Sequence, residues 1–298
     1  MTISIEEEVA ATRPRRPLLA KWPTLRRLLG HKAFLIGGVL LGITVFLAIT
    51  ADLITTVDPN RLAVRNRFKP PSFDHLFGTD NVGRSQFSRI AYGARLSLLI
   101  GLAVVVLNAV FGVLLGAAAG YFRKLDSILM RFADSLMAFP AVLLAIAIAS
   151  ALGPSSLTAA IALSVVYIPR TARVVRASVL VVREMEYVQA ATALGANHAR
   201  IVFKHILPNC LAPLIVQLTF VFAYAVLSEA VLSFLGLGAA PPTPTWGNII
   251  AEGRDYIREA MWITLIPGAF LAITVLGLNL LGDALRDVLD PRLNVIQG

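Results

Sequence analysis

The sequence predicts an all-α integral membrane protein with six transmembrane helices and one long polar loop on its basic side. Three observations carry that expectation. The 298 residues are 57% hydrophobic and only 15% charged, against about 45–50% and about 25% in soluble domains, and mean hydropathy is +0.73. Apolar runs suited to bilayer spans, which take about 20 helical residues each, recur along the chain. Lysine and arginine cluster beside these runs, so the net charge of +9 reads as membrane topology and contact with anionic headgroups, not as a nucleic-acid surface.

Residues 1–32 are polar, then basic, with Arg13, Arg15, Arg16, Lys21, Arg26, Arg27 and Lys32; Pro14, Pro17 and Pro23 argue against one continuous helix there. Ala33 to Ala51 forms the first span. It is too long for a typical signal core and lacks a clear cleavage site, so it reads as a retained helix. Residues 52–93 form a segment on the opposite side, ending in Gly78-Thr79-Asp80-Asn-Val-Gly83-Arg84-Ser85. Leu96 to Gly120 is the second span. Gly112, Gly116 and Gly120 share one face and permit close helix approach, and Gly38 and Gly42 are expected to do the same in the first span. Asn108 is polar in mid-span, and a helix–helix hydrogen bond accounts for it; lining a pathway is the other reading. A basic loop over Tyr121 to Arg131 precedes a third span from Ser135 to Leu152, in which Pro140 should kink or tighten the helix. The uncharged turn Gly153–Ser156 leads into a fourth span starting at Leu157. Arg170, Arg173 and Arg176 then line one side of its continuation, suited to headgroups or to docking.

The most polar long stretch of the second half follows. Residues 186–209 read as two short helices around Gly195, a residue able to take the left-handed conformation that ends a helix. Met185, Val188 and Thr192 fall on one face of the first helix, with Tyr187, Ala191 and Leu194 on an adjacent one. So many charges exclude the lipid core, leaving an interfacial linker or a sideways helix that docks a partner. Pro208 interrupts the second helix or marks the handover to a fifth span, Leu211 to Leu235. That span carries Gln217 and Glu229. A carboxylate there faces a cavity, or makes a structural hydrogen bond near the outer mouth. The proline-rich stretch 241–244 and Trp246 suit a stiff external loop with an interfacial aromatic anchor. Trp262 to Leu281 is the sixth span, and Asp283, Arg286, Asp287 and Asp290 form one charged face of a terminal helix. The single cysteine, Cys210, excludes an intrachain disulfide.

Glu186, Ala190, Ala191 and Gly195, followed by Ile201, His205, Pro208 and Asn209, resemble the "EAA" loop of importer-type ABC transporter permeases. The segment 78–84, the Asp126-Met130-Arg131-Asp134 pattern, the run Glu229 to Gly238 and the ending Gly282 to Pro291 resemble the dipeptide/oligopeptide branch, over nearly the whole chain. One departure is Ser85, where that branch usually has an acid, so Arg84 must be satisfied another way. The resemblance implies a type I permease subunit whose loop, residues 184–209, is a cytoplasmic coupling helix for an ATPase. It also implies a homologous second permease, two ATPase subunits holding ATP and magnesium, and an extracytoplasmic substrate-binding protein, with no cofactor on this chain. Residues 78–84 would then be an extracytoplasmic signature that contacts substrate or packs as a pre-span helix, and Glu229, Gln217 and Asn108 would be candidates for lining the pathway. The expected location is the bacterial inner membrane, multi-pass, with both ends cytoplasmic. The basic residues of segment 52–93 violate the charge rule that orients the other loops.

The expected division is a tail at 1–32, a first span and external segment at 33–93, a permease domain at 94–283 and a terminal helix or tail at 284–298. No Gly-Lys pair occurs, so there is no phosphate-binding P-loop, and no Gly-x-Ser-x-Gly elbow suggests a membrane-embedded enzyme. An ion-coupled secondary transporter would call for an internal repeat and several intramembrane acids. Within the resembled branch the cargo ranges over di- and oligopeptides, glutathione, nickel complexes and opine-like compounds.

Overall fold

A computed structural model describes residues 23–289. Residues Arg13, Arg15, Arg16 and Lys21 of the expected tail, and Asp290 at the other end, lie outside the described residues. Among the described residues the protein is helical, with a single antiparallel bridge between Thr79 and Ser85. Its helices are α1 (Pro23–Gly30), α2 (Lys32–Ile49), α3 (Gln86–Tyr121), α4 (Arg123–Met137), α5 (Ala141–Leu152), α6 (Ser156–Val182), α7 (Glu186–Ala193), α8 (His198–Phe234), α9 (Trp246–Gly253) and α10 (Trp262–Leu289).

Several elements differ from the sequence-based expectation. Helix α3 begins ten residues before Leu96, because Ser85 caps its first turn by accepting from the Ser88 amide. The basic stretch after Tyr121 is amphipathic helix α4, not loop. It meets α5 across Pro140 at 91°, a break and not a kink. Pro140 lacks the amide that would continue the ladder, and its ring disfavours helical backbone in the residue before it. Gly38 and Gly42 face open space, and Gly37 makes the close contact instead. A Cβ on Gly37 would sit 2.7 Å from the Gly277 carbonyl oxygen of α10. The expected external loop contains helix α9, started by a reciprocal cap between Thr245 and Asn248. Trp246 is no interfacial anchor: it is fully buried and its indole N–H donates to the Ile90 carbonyl at 3.2 Å.

Other expectations hold. Cβ atoms on Gly112, Gly116 and Gly120 would lie 2.7, 2.5 and 2.7 Å from Thr171, Ala172 and Val179, so the glycine face of α3 seats α6. Asn108 is buried, accepts from the Thr171 hydroxyl at 3.3 Å and donates to the Val104 carbonyl, within a π-type turn over Asn108–Gly112. Pro208 marks a handover. A π-type turn (Ile201–Ile206) and a 3₁₀ turn (Leu207–Cys210) lead into the main run of α8.

Contacts define two ends. At one, the Tyr121 hydroxyl pairs with His198 Nδ1 at 2.7 Å, Arg183 donates to the Gly120 carbonyl, and His31 lies 3.5 Å from Asp287. At the other, Trp262 donates to the Thr79 carbonyl and Gly247 packs on Ala230 and Ser233. The start of α2 and the last turns of α10 therefore lie at the end that carries residues 184–209. Four helices (α2, α3, α8, α10) are long and apolar enough to cross a membrane, five if the bent pair α4–α5 counts as one. The expected six is not established this way, since α6 is not among them. Val39, Phe46 and Ile49 are exposed on α2, an apolar surface of the kind a bilayer covers.

Candidate functional site

Three places gather the chemistry. The first is the helical knob formed by α7 and the start of α8. Val188, Ile201, Ile206 and Cys210 are buried against Val175, Val179 and Val182 of α6, so the knob is rooted in the bundle. Gly195 ends α7 at φ +80°. The Ala196 amide returns to the Ala191 carbonyl at 3.1 Å, and Asn197 caps the next turn through the Arg200 amide at 2.8 Å. This tight reversal leaves Leu194 89% exposed, with Gly195, Glu186 and Ala190 exposed beside it. Ala191 and His205 are half-buried and Pro208 is exposed, whereas Ile201 belongs to the root. A leucine held out on a rigid turn has the form of a plug for an apolar socket.

The second is a charge cluster at the opposite end. Gly78 and Gly83 adopt φ +74° and +82°. A side chain on Gly83 would collide with the Ala63 carbonyl, so the loop 78–84 folds tightly on residues 63–69, with the Thr79 hydroxyl bonded to the Asn66 carbonyl. The turn delivers Asp80, buried, to Arg84 at 2.5 Å and Arg89 at 2.9 Å. Glu252 of α9 closes the set, at 2.5 Å from Arg84 and 2.6 Å from Arg89. Two cations and two anions thus cancel where each alone would be costly. Sequence reasoning identified Asp80 and Arg84 but missed Arg89 as a partner and Glu252 altogether. Nothing local signals a residue 163 positions from Arg89. Nearby, Asp52 bonds Arg95 at 2.9 Å and Tyr92 at 2.7 Å. These bonds, Arg95 foremost, hold its carboxyl below the usual range.

The third is an open groove of about 450 Å³ between α6 and α8. Gln217 lines it with Tyr167, Arg170, Arg173 and Tyr224. The tyrosine rings stack at 6.4 Å, and the Tyr167 hydroxyl pairs with Ser228 at 2.8 Å. Arg173 and Arg176 pair with Asp134 and Asp126 of α4, each at 2.5 Å, so neither is left for headgroups alone. The structure does not bring Glu229 or Asn108 to this groove. Glu229 is fully buried and accepts from Ser233 at 2.6 Å.

Comparison with known proteins is consistent across the chain. A family model described as a binding-protein-dependent transport system inner membrane component matches residues 108–295. A second, the N-terminal TM domain of oligopeptide transport permease C, matches residues 23–71. A protein of Brucella abortus, named for a peptide transport system permease, is 57% identical over 272 residues, 91% of this chain and 92% of that one. A dipeptide transport system permease protein of Alkalihalophilus pseudofirmus is 43% identical over 289 residues, covering 97% and 93%. A di/tripeptide transport system permease protein of Pseudomonas aeruginosa is 42% identical over 285 residues, covering 93% of each.

Proposed function

This chain belongs to the family of binding-protein-dependent transport system inner membrane components, and from that premise we propose that it forms half of a transmembrane pathway for di- or oligopeptides. A homologous permease supplies the other half, and an external binding protein delivers cargo at the end bearing the Asp80–Glu252 cluster. Two ATPase subunits, which hold ATP and magnesium, dock at the other end. The observation that carries this reading is the knob at Leu194 and Gly195. It is rooted on α6 and α8 and presents an apolar tip left exposed among the described residues. The sequence has no P-loop of its own, so the energy for a cycle must arrive through a contact of this kind.

The mechanism follows from where the knob is attached. Because Val188, Ile201 and Ile206 pack on Val175, Val179 and Val182, a displacement of the knob is transmitted to α6 and α8 as rigid levers, and these two helices wall the groove. ATP binding that draws two ATPase subunits together would bias the bundle from inward- to outward-facing, a two-state element shifted by a ligand. We place the bundle in the bacterial inner membrane with the knob, both termini and the basic helix α4 on the cytoplasmic side, as the loop charges favour. The chain then crosses six times.

The test is Leu194→Asp, with Gly195→Arg as a second variant. Both leave the buried root untouched. The expected outcome is a complex that keeps its second permease but loses its ATPase subunits in a mild-detergent pull-down, and loses uptake with them. If ATPase subunits remain and ATP-driven uptake persists in both variants, the coupling assignment is wrong. Solute movement in liposomes by the chain alone, without ATP, would favour a secondary transporter.

A further inference from the structure

The groove between α6 and α8 contains one cation that the fold does not account for. Arg173 and Arg176 are paired with acids of α4, but Arg170 is exposed and makes no ion pair or hydrogen bond among the described residues. The groove is completed by Gln217, Phe220, Val221 and Tyr224 of the apolar run Leu211–Phe234, and by Arg173 and Met137, where α4 ends. A guanidinium set against such an apolar wall normally faces an aqueous cavity or an opposite charge. One residue earlier, Pro169 interrupts the amide ladder of α6. Gln217 and the exposed ring of Tyr224 stand beside Arg170 in an open, mostly apolar recess of about 450 Å³.

Building on the permease reading above, we propose that Arg170 is a carboxylate-binding residue of the translocation pathway, holding the carboxylate of a peptide in transit. The chemistry fits. A guanidinium presents paired donors to a carboxylate, and the exposed Tyr224 ring, backed by buried Tyr167, offers a flat apolar face to the adjoining side chain. Gln217 can accept from or donate to a peptide amide. A single arginine binds weakly enough for release, which a pathway requires and a tight site would defeat. The site selects against net cationic cargo as well as holding anionic cargo.

The experiment uses the complete complex, with its binding protein, in proteoliposomes, and follows ATP-dependent uptake of labelled Gly-Leu, Gly-Glu and Gly-Lys. Arg170→Gln is expected to lower the maximal rate for Gly-Glu and Gly-Leu by roughly tenfold or more, leaving KM, set by the external binding protein, in place. Arg170→Lys recovers part of that rate, and Arg170→Glu shifts the Gly-Glu to Gly-Lys preference toward the cation. Unchanged rates and preferences in Arg170→Gln and Arg170→Glu would overturn the assignment. So would equal loss for all three peptides accompanied by loss of the second permease on pull-down, which would make Arg170 a contact between subunits. Absence of ATP-dependent uptake of any of the three by the parent complex would overturn the peptide-permease reading, and this inference with it.

Discussion

Arg89 shows how much one buried side chain can carry. Its guanidinium bridges Asp80 and Glu252 at 2.9 and 2.6 Å while itself almost wholly buried. Arg89→Leu leaves Asp80 and Glu252 with Arg84 as their one cation among the described residues, and breaking a buried pair in this way costs about 3–5 kcal/mol. The expected result is a marked fall in the thermal midpoint in detergent, partly restored in the double variant Arg89→Leu/Glu252→Gln. Asp52 is the milder case. Its folded carboxyl is held below the ordinary value by Arg95 and Tyr92. The stabilisation is therefore full above a carboxylate pKa of about 4 and fades as pH falls through the folded value. Asp52→Asn should make stability less sensitive to acid in that window, as read from thermal melts across pH. At this scale the sequence was partly legible. Asp80 and Arg84 stand in one short motif, and Ser85 in place of the expected acid raised the question of what satisfies Arg84. The answer, Glu252, comes from another helix, and no spacing rule reaches that far.

Helix packing belongs to the next scale. Gly116 lets α3 approach α6 so closely that an added Cβ would lie 2.5 Å from the Ala172 carbonyl oxygen, while Gly38 faces open space. Gly116→Val is therefore expected to destabilise the bundle by about 1–3 kcal/mol or more, with loss of monodisperse protein on gel filtration. Gly38→Val should be tolerated. Equal behaviour of the two would refute the packing account. The glycine face of α3 was readable because a four-residue repeat marks one side of a helix whatever its partner. The glycines of α2 were misassigned, since Gly37, Gly38 and Gly42 all lie within reach of such a pattern and only the position of α10 selects among them. The 91° break at Pro140 and the helical state of 123–137 were understated for a related reason. Proline announces a disturbance, but the angle depends on where α4 finds its acids' partners, Arg173 and Arg176.

At the scale of the whole molecule, the two ends differ in kind. One carries the knob, the start of α2, the end of α10 and α4; the other carries the Asp80–Glu252 cluster and helix α9. In a Cys210→Ser background, single cysteines at Leu194 and at Phe73, both highly exposed, are expected to react with an impermeant maleimide from opposite sides of the membrane, Phe73→Cys from outside. Labelling of both from the same side would overturn the proposed orientation. The same division bears on the violation of the charge rule by segment 52–93. Arg84 and Arg89 are paired with Asp80 and Glu252, so two of its cations are compensated within the fold.

Composition, periodicity and motif spacing determined by themselves that this is a helical membrane protein, where its polar knob lies and which glycine face is packed. Those properties depend on local backbone geometry and on the oily solvent, which act on each segment separately. Tertiary structure alone decided that Trp246 is core and not an anchor, that Glu252 completes the charge cluster, and that Arg170 has no ion pair among the described residues while Arg173 and Arg176 are taken. Each of those outcomes depends on which distant group arrives at hydrogen-bonding distance, and in a folded chain that is set by helix packing, which sequence separation does not encode.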